Sequence, residues 1–547
     1  MLRANPGIAL VFSMLLGATV AACQGCRTPP PTSVDASADA IPSQPTVRLY
    51  VLSNIAGALE PCGCTKDQLG GVHHLAAFLE SERAAAPTNL VLGAGPMLFG
   101  EPLLGAREET QQSWKAETLA AAFKQLSLTG WAPGVNDWAA GAEFLGKAVA
   151  SSGAALLAGN VDATPKPAAV LIREVGGIKL GLIGVADPRD REGKSPAGVA
   201  TKSAADTMRE GLAEAKRQGA RVFVGVSALP RGESLRLADA FPELTVLVIG
   251  KPVEEGHNND GPKAPMHLGN TLVVETSNHL QSVAVVDLFV RGAPAGEAPI
   301  TFGDASGISR AEELVSLAGR IHELETRIQS WEKGGKVKPE DLAARKADLA
   351  KLLTERTKLE EPIPAPSGSF FRYRLVEVRE KLGAEPGVKK QIADYYKRVN
   401  EHNKTAFADR KPAPAGAKQA SFIGVEECTT CHDEERKVWD GTPHSHAYKT
   451  LQDDFKEYNL ECVNCHVTGY DKPGGSTVTF VDKLKDVQCE ECHGPGSLHA
   501  KDPDKKGLIT LKPDPQSCVA SCHHSPHVEN FDPVVKMELV LGPGHGK

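Results

Sequence analysis

Between Val47 and about Val290, short apolar runs alternate with longer, Ala-rich amphipathic stretches. The runs are VRLYVL at 47–52, NLVL at 89–92, LGLIGV at 180–185, VFVGV at 222–226 and TVLVI at 245–249. β-branched runs of this length between helical stretches predict an α/β domain with buried strands. Several runs end in Gly or other small residues, where α/β folds place their sites. The pattern then changes. Leu314, Leu317, Ile321, Leu324, Ile328 and Trp331 step by 3, 4, 3, 4 and 3, the spacing of an a/d seam. Gly334, Gly335 and Pro339 interrupt it, and Leu342, Leu349, Leu352 and Leu359 resume it. Two helices with a short turn predict an antiparallel hairpin, each helix supplying the other's partner; the alternative use of the seam is dimerisation. FFRYRLVEV at 370–378 alternates like a strand, 388–403 reads as helix, and KPAPAGAKQA at 411–420 reads as a linker.

Length and charge sharpen this picture. A chain of 547 residues with 41% hydrophobic and 24% charged content is a multidomain, globular type and excludes a polytopic membrane protein. The net charge of −7 argues against a nucleic-acid partner. Residues 421–547 hold 13 Lys and Arg against 21 Asp and Glu, a net of −8, together with eight of the 12 Cys and ten of the 17 His. The chemistry is concentrated there.

The chain opens with Met1-Leu2-Arg3, 13 apolar or small residues at 8–20, and then Val20-Ala21-Ala22-Cys23. A basic end and a short apolar core read as a secretory signal too short to span a bilayer. Small residues before a Cys resemble a bacterial lipobox, which makes Cys23 the lipidated mature N-terminus; the alternative is a plain cleaved signal. RTPPPTSVDASADAIPSQP at 27–45 is a tether that cannot bury a core. The expectation is an exported lipoprotein, membrane-anchored and facing the periplasm or cell surface.

Three C-x-x-C-H motifs stand within 66 residues: Cys428, Cys431, His432; Cys462, Cys465, His466; and Cys489, Cys492, His493. Two thiols at this spacing add to the vinyl groups of one haem while the next residue, His, reaches the iron. A zinc ribbon has no need of a His after every second Cys, and a disulfide framework, which an oxidising compartment permits, does not call for one either. A fourth site, Cys518-Val519-Ala520-Ser521-Cys522-His523, has three residues between the thiols. It reads as a further haem attachment, with a Cys518–Cys522 disulfide as the alternative. Electron-transfer haems take a second strong ligand, usually His, and His444, His446, His499, His524, His527 and His545 are available.

Trp439-x-x-Thr442-x-His444, then Ala447 and Leu451, then Cys465-His466-Val467-Thr468-Gly469-Tyr470 and Cys489 to His493 followed by Gly494-Pro495-Gly496-Ser497-x-His499 resemble the tetrahaem cytochrome c-554 family over Phe422 to about Val534. The resemblance implies four closely packed haem c groups, mostly with two His ligands, and one haem that can keep an open position. By position it makes His444 and His499 distal ligands. His446 is a further candidate beside His444, and His527 another behind the fourth motif.

The strand order of the α/β part resembles the metallophosphoesterase domain of the 5′-nucleotidase family, which binds two metals through D-x-H-G, G-D, G-N-H-D/E, a lone His and G-H-x-H. Here those positions read Asn54-Ile55-Ala56-Gly57, Gly93-Ala94, Gly134-Val135-Asn136-Asp137, Ser227-Ala228 and Gly250-Lys251-Pro252-Val253. Hard divalent ions need more carboxylate and imidazole than that, so metal-dependent phosphatase activity is not expected. Glu60-Pro61-Cys62-Gly63-Cys64, with Gln68 and His73-His74 after it, looks like the E-P-C-G-C variant of that fold. Cys62 and Cys64 read as a redox pair, a soft-metal site with His73 or His74, or structural thiols.

The organisation expected is a signal at 1–22, a tether at 23–45, a degenerate metallophosphoesterase-like α/β sandwich at 46–303, a helical hairpin at 308–361, a strand–helix connector at 368–408, and a mostly α or irregular multihaem cytochrome domain at 421–547. The function expected is electron transfer between redox partners through four haems, with a basic protein as partner. The alternatives are a redox enzyme working at an open haem position or at Cys62/Cys64, and a non-hydrolytic ligand-binding or sensor lipoprotein.

Overall fold

The computed structural model describes residues 42–61, 68–256, 258–292, 298–334, 337–359, 361, 363, 367–524, 527–528, 531–542 and 545. Cys23, the stretch read as a secretory signal, most of the stretch read as a tether, and the Cys62/Cys64 pair lie outside the described residues.

Two sheets pack face to face. The first has seven strands in the order Gly303–Asp304, Phe370–Glu377, Ser282–Phe289, Val47–Ser53, Asn89–Gly95, Leu128–Pro133, Ala155–Leu156. The second has six, in the order Met266–Leu268, Thr271–Val274, Val246–Ile249, Val222–Ala228, Ile178–Ala186, Val170–Val175. The period of two explains how the second sheet is buried on both sides. Leu180, Leu182, Val222, Val224, Val246 and Val248 join the core shared with the first sheet. Their neighbours Ile183, Val185 and Phe223 point the other way, onto Met208, Leu212 and Ala215 of the helix Ala204–Arg217. Four of the five apolar runs lie wholly inside observed strands and the fifth does so from Val246 on, and the α/β sandwich expected from them is the fold.

The segment read as a connector belongs to the sandwich. Phe370–Glu377 pairs antiparallel with Ser282–Phe289 from Phe289↔Phe370 to Ser282↔Glu377. The helix Pro386–Ala406 lays Val388, Ile392, Tyr395 and Val399 into the same core. The α/β body therefore runs on to about residue 406, and the hairpin is an insertion between two of its strands. Its helices are Ile308–Gly334 and Pro339–Leu359. Leu317, Ile321 and Ile328 of the seam are buried, Leu314, Leu324 and Trp331 half-buried, and Lys346 Nζ bridges to Glu332 at 2.7 Å.

The C-terminal part is built of short helices such as Asp433–Asp440, Ala447–Asp453 and Cys489–His493 joined by irregular chain. Its own apolar cluster is small: Tyr448, Leu460, Val463, Val467, Val478 and Val481. It is joined to the α/β body by a buried polar knot. Gln111, 2% exposed on the helix Glu109–Leu126, accepts from Leu460 N and from Asn403 Nδ2, each at 3.0 Å, and donates to Asn459 Oδ1 at 3.2 Å. Around it, Lys115 pairs with Glu461 at 2.8 Å and Arg107 with Asp471 at 2.9 Å.

Gln111→Ala is expected to lower unfolding stability by about 3 kcal/mol, because it leaves buried groups unpaired at about 1–3 kcal/mol each. Chemical denaturation of the full chain measures this, and a change within about 0.5 kcal/mol, the scatter of neutral surface substitutions, would show that the knot carries no weight.

Candidate haem-binding site

The first motif ends the short helix Val425–Thr429, and the Cys428 carbonyl accepts from Cys431 N at 3.2 Å and His432 N at 3.1 Å. The fourth motif carries one residue more, yet the Cys518 carbonyl still accepts from Cys522 N at 3.1 Å and His523 N at 2.8 Å. The extra residue is absorbed by widening the turn, so the second thiol and the His are tied back to the same carbonyl in both motifs. Cys428 lies against Cys489, and Cys465 against Cys522, which sets the first motif beside the third and the second beside the fourth.

Histidine rings pair across the domain. His432 faces His499 with ring centroids 6.4 Å apart, His444 faces His523 at 6.1 Å, and His493 faces His545 at 6.1 Å. A first-row metal sits about 2 Å from an imidazole nitrogen, so two rings sharing one iron have centroids about 6 Å apart. All three pairs have that separation. The donor chemistry fits as well. His466 Nδ1 donates to the Ala447 carbonyl at 2.5 Å and His493 Nδ1 to the Thr510 carbonyl at 2.6 Å, which leaves Nε2 of each as the free lone pair. Burial, and next the neighbouring His523, holds His444 below the usual imidazole range, and burial does the same to His466. Neutral imidazole is the form that ligates.

Among the described residues no second histidine ring faces His466. His446 is exposed and pairs with no ring there, while His527 packs edge-on to His524 at 5.6 Å rather than opposite a motif His. His545, near the end of the chain, is the ring the motif pattern did not single out; its only sequence signal is that it is one of the spare histidines.

The motif neighbours hold the frame. Glu490, between the thiols of the third motif and 2% exposed, accepts from Ile423 N at 3.0 Å, Gly424 N at 2.8 Å and Gly496 N at 2.7 Å. Trp439 Nε1 donates to the Val487 carbonyl at 2.8 Å, and Val487 N to the His444 carbonyl at 3.1 Å. This explains why Trp439 and Thr442 precede His444: they fix the backbone from which the ring projects.

In the α/β body, the positions that resemble metal-ligand motifs do converge, at the C-terminal ends of strands from both sheets. Their polar atoms are already bonded within the protein. Asn54 Oδ1 accepts from Lys251 N at 2.7 Å, an approach that Gly95 (φ 84°) permits because a Cβ there would lie 2.0 Å from that oxygen. Asn136 bonds the backbone of Phe99 and Glu254, and Ser227 Oγ lies 2.8 Å from Ser234 Oγ. The Lys251 ammonium binds the carboxylates of Glu254 and Asp260. No group of three or more His, Cys, Asp or Glu suited to a metal occurs among the described residues. Asp137 is fully buried and accepts from Met97 N, Leu98 N and Trp131 Nε1. Burial, the largest influence, pushes its pKa up to about 6 against those hydrogen bonds.

A cleft of about 650 Å³ separates the two parts beside the fourth motif. Gln68, directly after the undescribed Cys62/Cys64 segment, donates across it to the His527 carbonyl at 2.6 Å.

Residues 427–494 match the family model described as "Cytochrome c554 and c-prime". Cytochrome c-554 of Nitrosomonas europaea is 34% identical over 107 residues, 17% of this chain and 46% of that one, so the chain spans about half the length of this curated relative. Both findings bear out the resemblance read from the motifs. Solved structures similar to the chain include a 5′-nucleotidase precursor from Thermus thermophilus (15% identity, 70% of this chain and 62% of that chain, TM-score 0.41) and a calcineurin-like phosphoesterase from Bacillus subtilis (15%, 46% and 86%, TM-score 0.38). At those scores the likeness carries no functional weight. No helix among the described residues is long and apolar enough to cross a membrane.

Asp137 has a folded pKa above that of an unfolded Asp, so its contribution to stability is present at low pH and is lost as pH rises through about 6. Measured against Asp137→Asn by denaturation at a series of pH values, the native chain should gain up to about 3 kcal/mol as pH falls from 7 to 4. A pH-independent difference would contradict the burial argument.

Proposed function

We propose that the protein is an exported multihaem c-type cytochrome that transfers electrons between redox partners, with four haems held at Cys428/Cys431/His432, Cys462/Cys465/His466, Cys489/Cys492/His493 and Cys518/Cys522/His523. The observation that carries the proposal is the pairing of three motif histidines with His499, His545 and His444 at 6.1 to 6.4 Å. When bound, haem c supplies one-electron redox centres. The chain's own residues hold the thiols close together in pairs of motifs, fix the imidazole tautomers through Ala447 and Thr510, and bury His444 and His466 so that both stay neutral.

The acidic balance of 421–547 supports a basic partner and an association rate that falls with salt. The leader supports attachment to a membrane through a lipid on Cys23. In the α/β body, metal-dependent hydrolysis is not part of the proposal, because Asn54, Asn136 and Ser227 bond other protein groups and Lys251 already neutralises Glu254 and Asp260. A second reading rests on His466, which faces no second ring among the described residues: a small ligand could be taken up there.

Intact mass and a pyridine haemochrome on protein made with c-type maturation machinery should give four covalent haems, and Cys518→Ala with Cys522→Ala should give three. Protein without covalent haem would end the proposal. His545→Ala should turn one low-spin centre high-spin without loss of haem by mass, and an unchanged spectrum would remove His545 as a ligand. Carbon monoxide should bind one reduced centre of the unsubstituted protein; no binding would exclude the second reading.

A further inference from the structure

We propose that the α/β body forms one wall of the haem site at Cys518, Cys522 and His523, and that the charge it presents in the interdomain cleft sets the potential of that haem. The inference rests on the fourth motif being a haem attachment.

The cleft of about 650 Å³ has Val519 and His523 of that motif on one side, and Leu69, Gln281, Leu375 and Glu377 of the α/β body on the other. This volume is within the roughly 300–1,000 Å³ of sites that take a large organic ligand. Its lining is mixed in a way that suits a macrocycle with an apolar face and a charged edge. Leu69 is half-buried, and Leu375 is a large apolar side chain left 37% exposed on a strand of the first sheet. Gln281 and the carboxylate of Glu377 supply the polar side, and Arg379 at 2.9 Å holds the Glu377 carboxyl below its ordinary pKa, hence charged. The Gln68 to His527 hydrogen bond at 2.6 Å joins the two sides. Both facing rings, His523 and His444, come from the C-terminal part. What the α/β body adds is therefore packing and charge at the periphery.

A negative charge near the iron stabilises its oxidised form and lowers its potential, and a positive charge raises it, with solvent damping the effect because the Glu377 side chain is 55% exposed. Leu375 faces the cleft without belonging to the ligand set, so it is the place to write in either sign.

Spectroelectrochemical titration of the full-length holoprotein should be compared with Leu375→Lys, Leu375→Glu and, as a charge reversal on an exposed helix outside the cleft, Lys147→Glu. One midpoint potential is expected to move up with Leu375→Lys and down with Leu375→Glu, while the others and all those of Lys147→Glu stay in place. If a charge at 375 prevents folding, Glu377→Gln serves, with an upward shift of the same potential expected. Unmoved potentials in correctly loaded variants would overturn the wall. Intact mass of the unsubstituted protein separates the two failures. Three haems would overturn the fourth attachment and the wall with it, whereas four haems with unmoved potentials would overturn the wall alone.

Discussion

The Gln111 side-chain amide holds together three segments that lie far apart in the chain: its own helix, the helix carrying Asn403, and the 458–461 turn that leads into the second C-x-x-C-H motif. A buried amide with its oxygen accepting twice and its nitrogen donating once tolerates little displacement, since each lost bond exposes a desolvated group to no partner. The position of the C-terminal part on the α/β body follows from it. Lys115, Arg107 and Arg410 then add ion pairs to Glu461 and Asp471 at the more exposed margin, where such pairs are worth less.

The C-terminal part needs that support. Its apolar cluster of six buried residues is far smaller than the core of the sandwich, and small domains without a large core rely on covalent or metal staples. Its polar staples run over long separations: Glu490 to the 423–424 backbone, Gln488 to Val425 N, and Asp486 to Tyr448 N. The histidine pairs span comparable lengths, 67 residues from His432 to His499 and 79 from His444 to His523. The polar staples and the histidine pairs thus join segments that the apolar cluster alone does not.

Much of the α/β fold was legible because its second sheet is buried on both faces, and such strands show as continuous apolar runs at 180–185, 222–226 and 245–249. Thr271–Val274 and Ser282–Phe289 were less visible, lying after a Gly- and Pro-containing loop. The role of Phe370–Glu377 could not be read at all. Alternation says that a segment is a strand but not which strand it pairs with, and here the partner lies on the far side of a hairpin of two long helices. The thiols and their following histidines were legible from spacing alone. Of the opposing rings, His444 and His499 followed only from the family resemblance, and the pairing of His545 with His493 is a tertiary fact without a local signature. The turn of the fourth motif could not be read either: its extra residue is taken up while Cys522 N and His523 N both donate to the Cys518 carbonyl.

In the α/β body, the polar groups at the strand ends are satisfied within the protein. Carboxylates partly removed from water at these strand ends need a cation beside them. Lys251 supplies it to Glu254 and Asp260. Such a site is cross-braced rather than open, since the amide of Asn136 closes on the backbone of Phe99 and Glu254 and that of Asn54 on Lys251. Asp137 fits the same logic: a carboxylate with no cation beside it survives burial only by accepting from Met97, Leu98 and Trp131, and it retains a raised pKa even so.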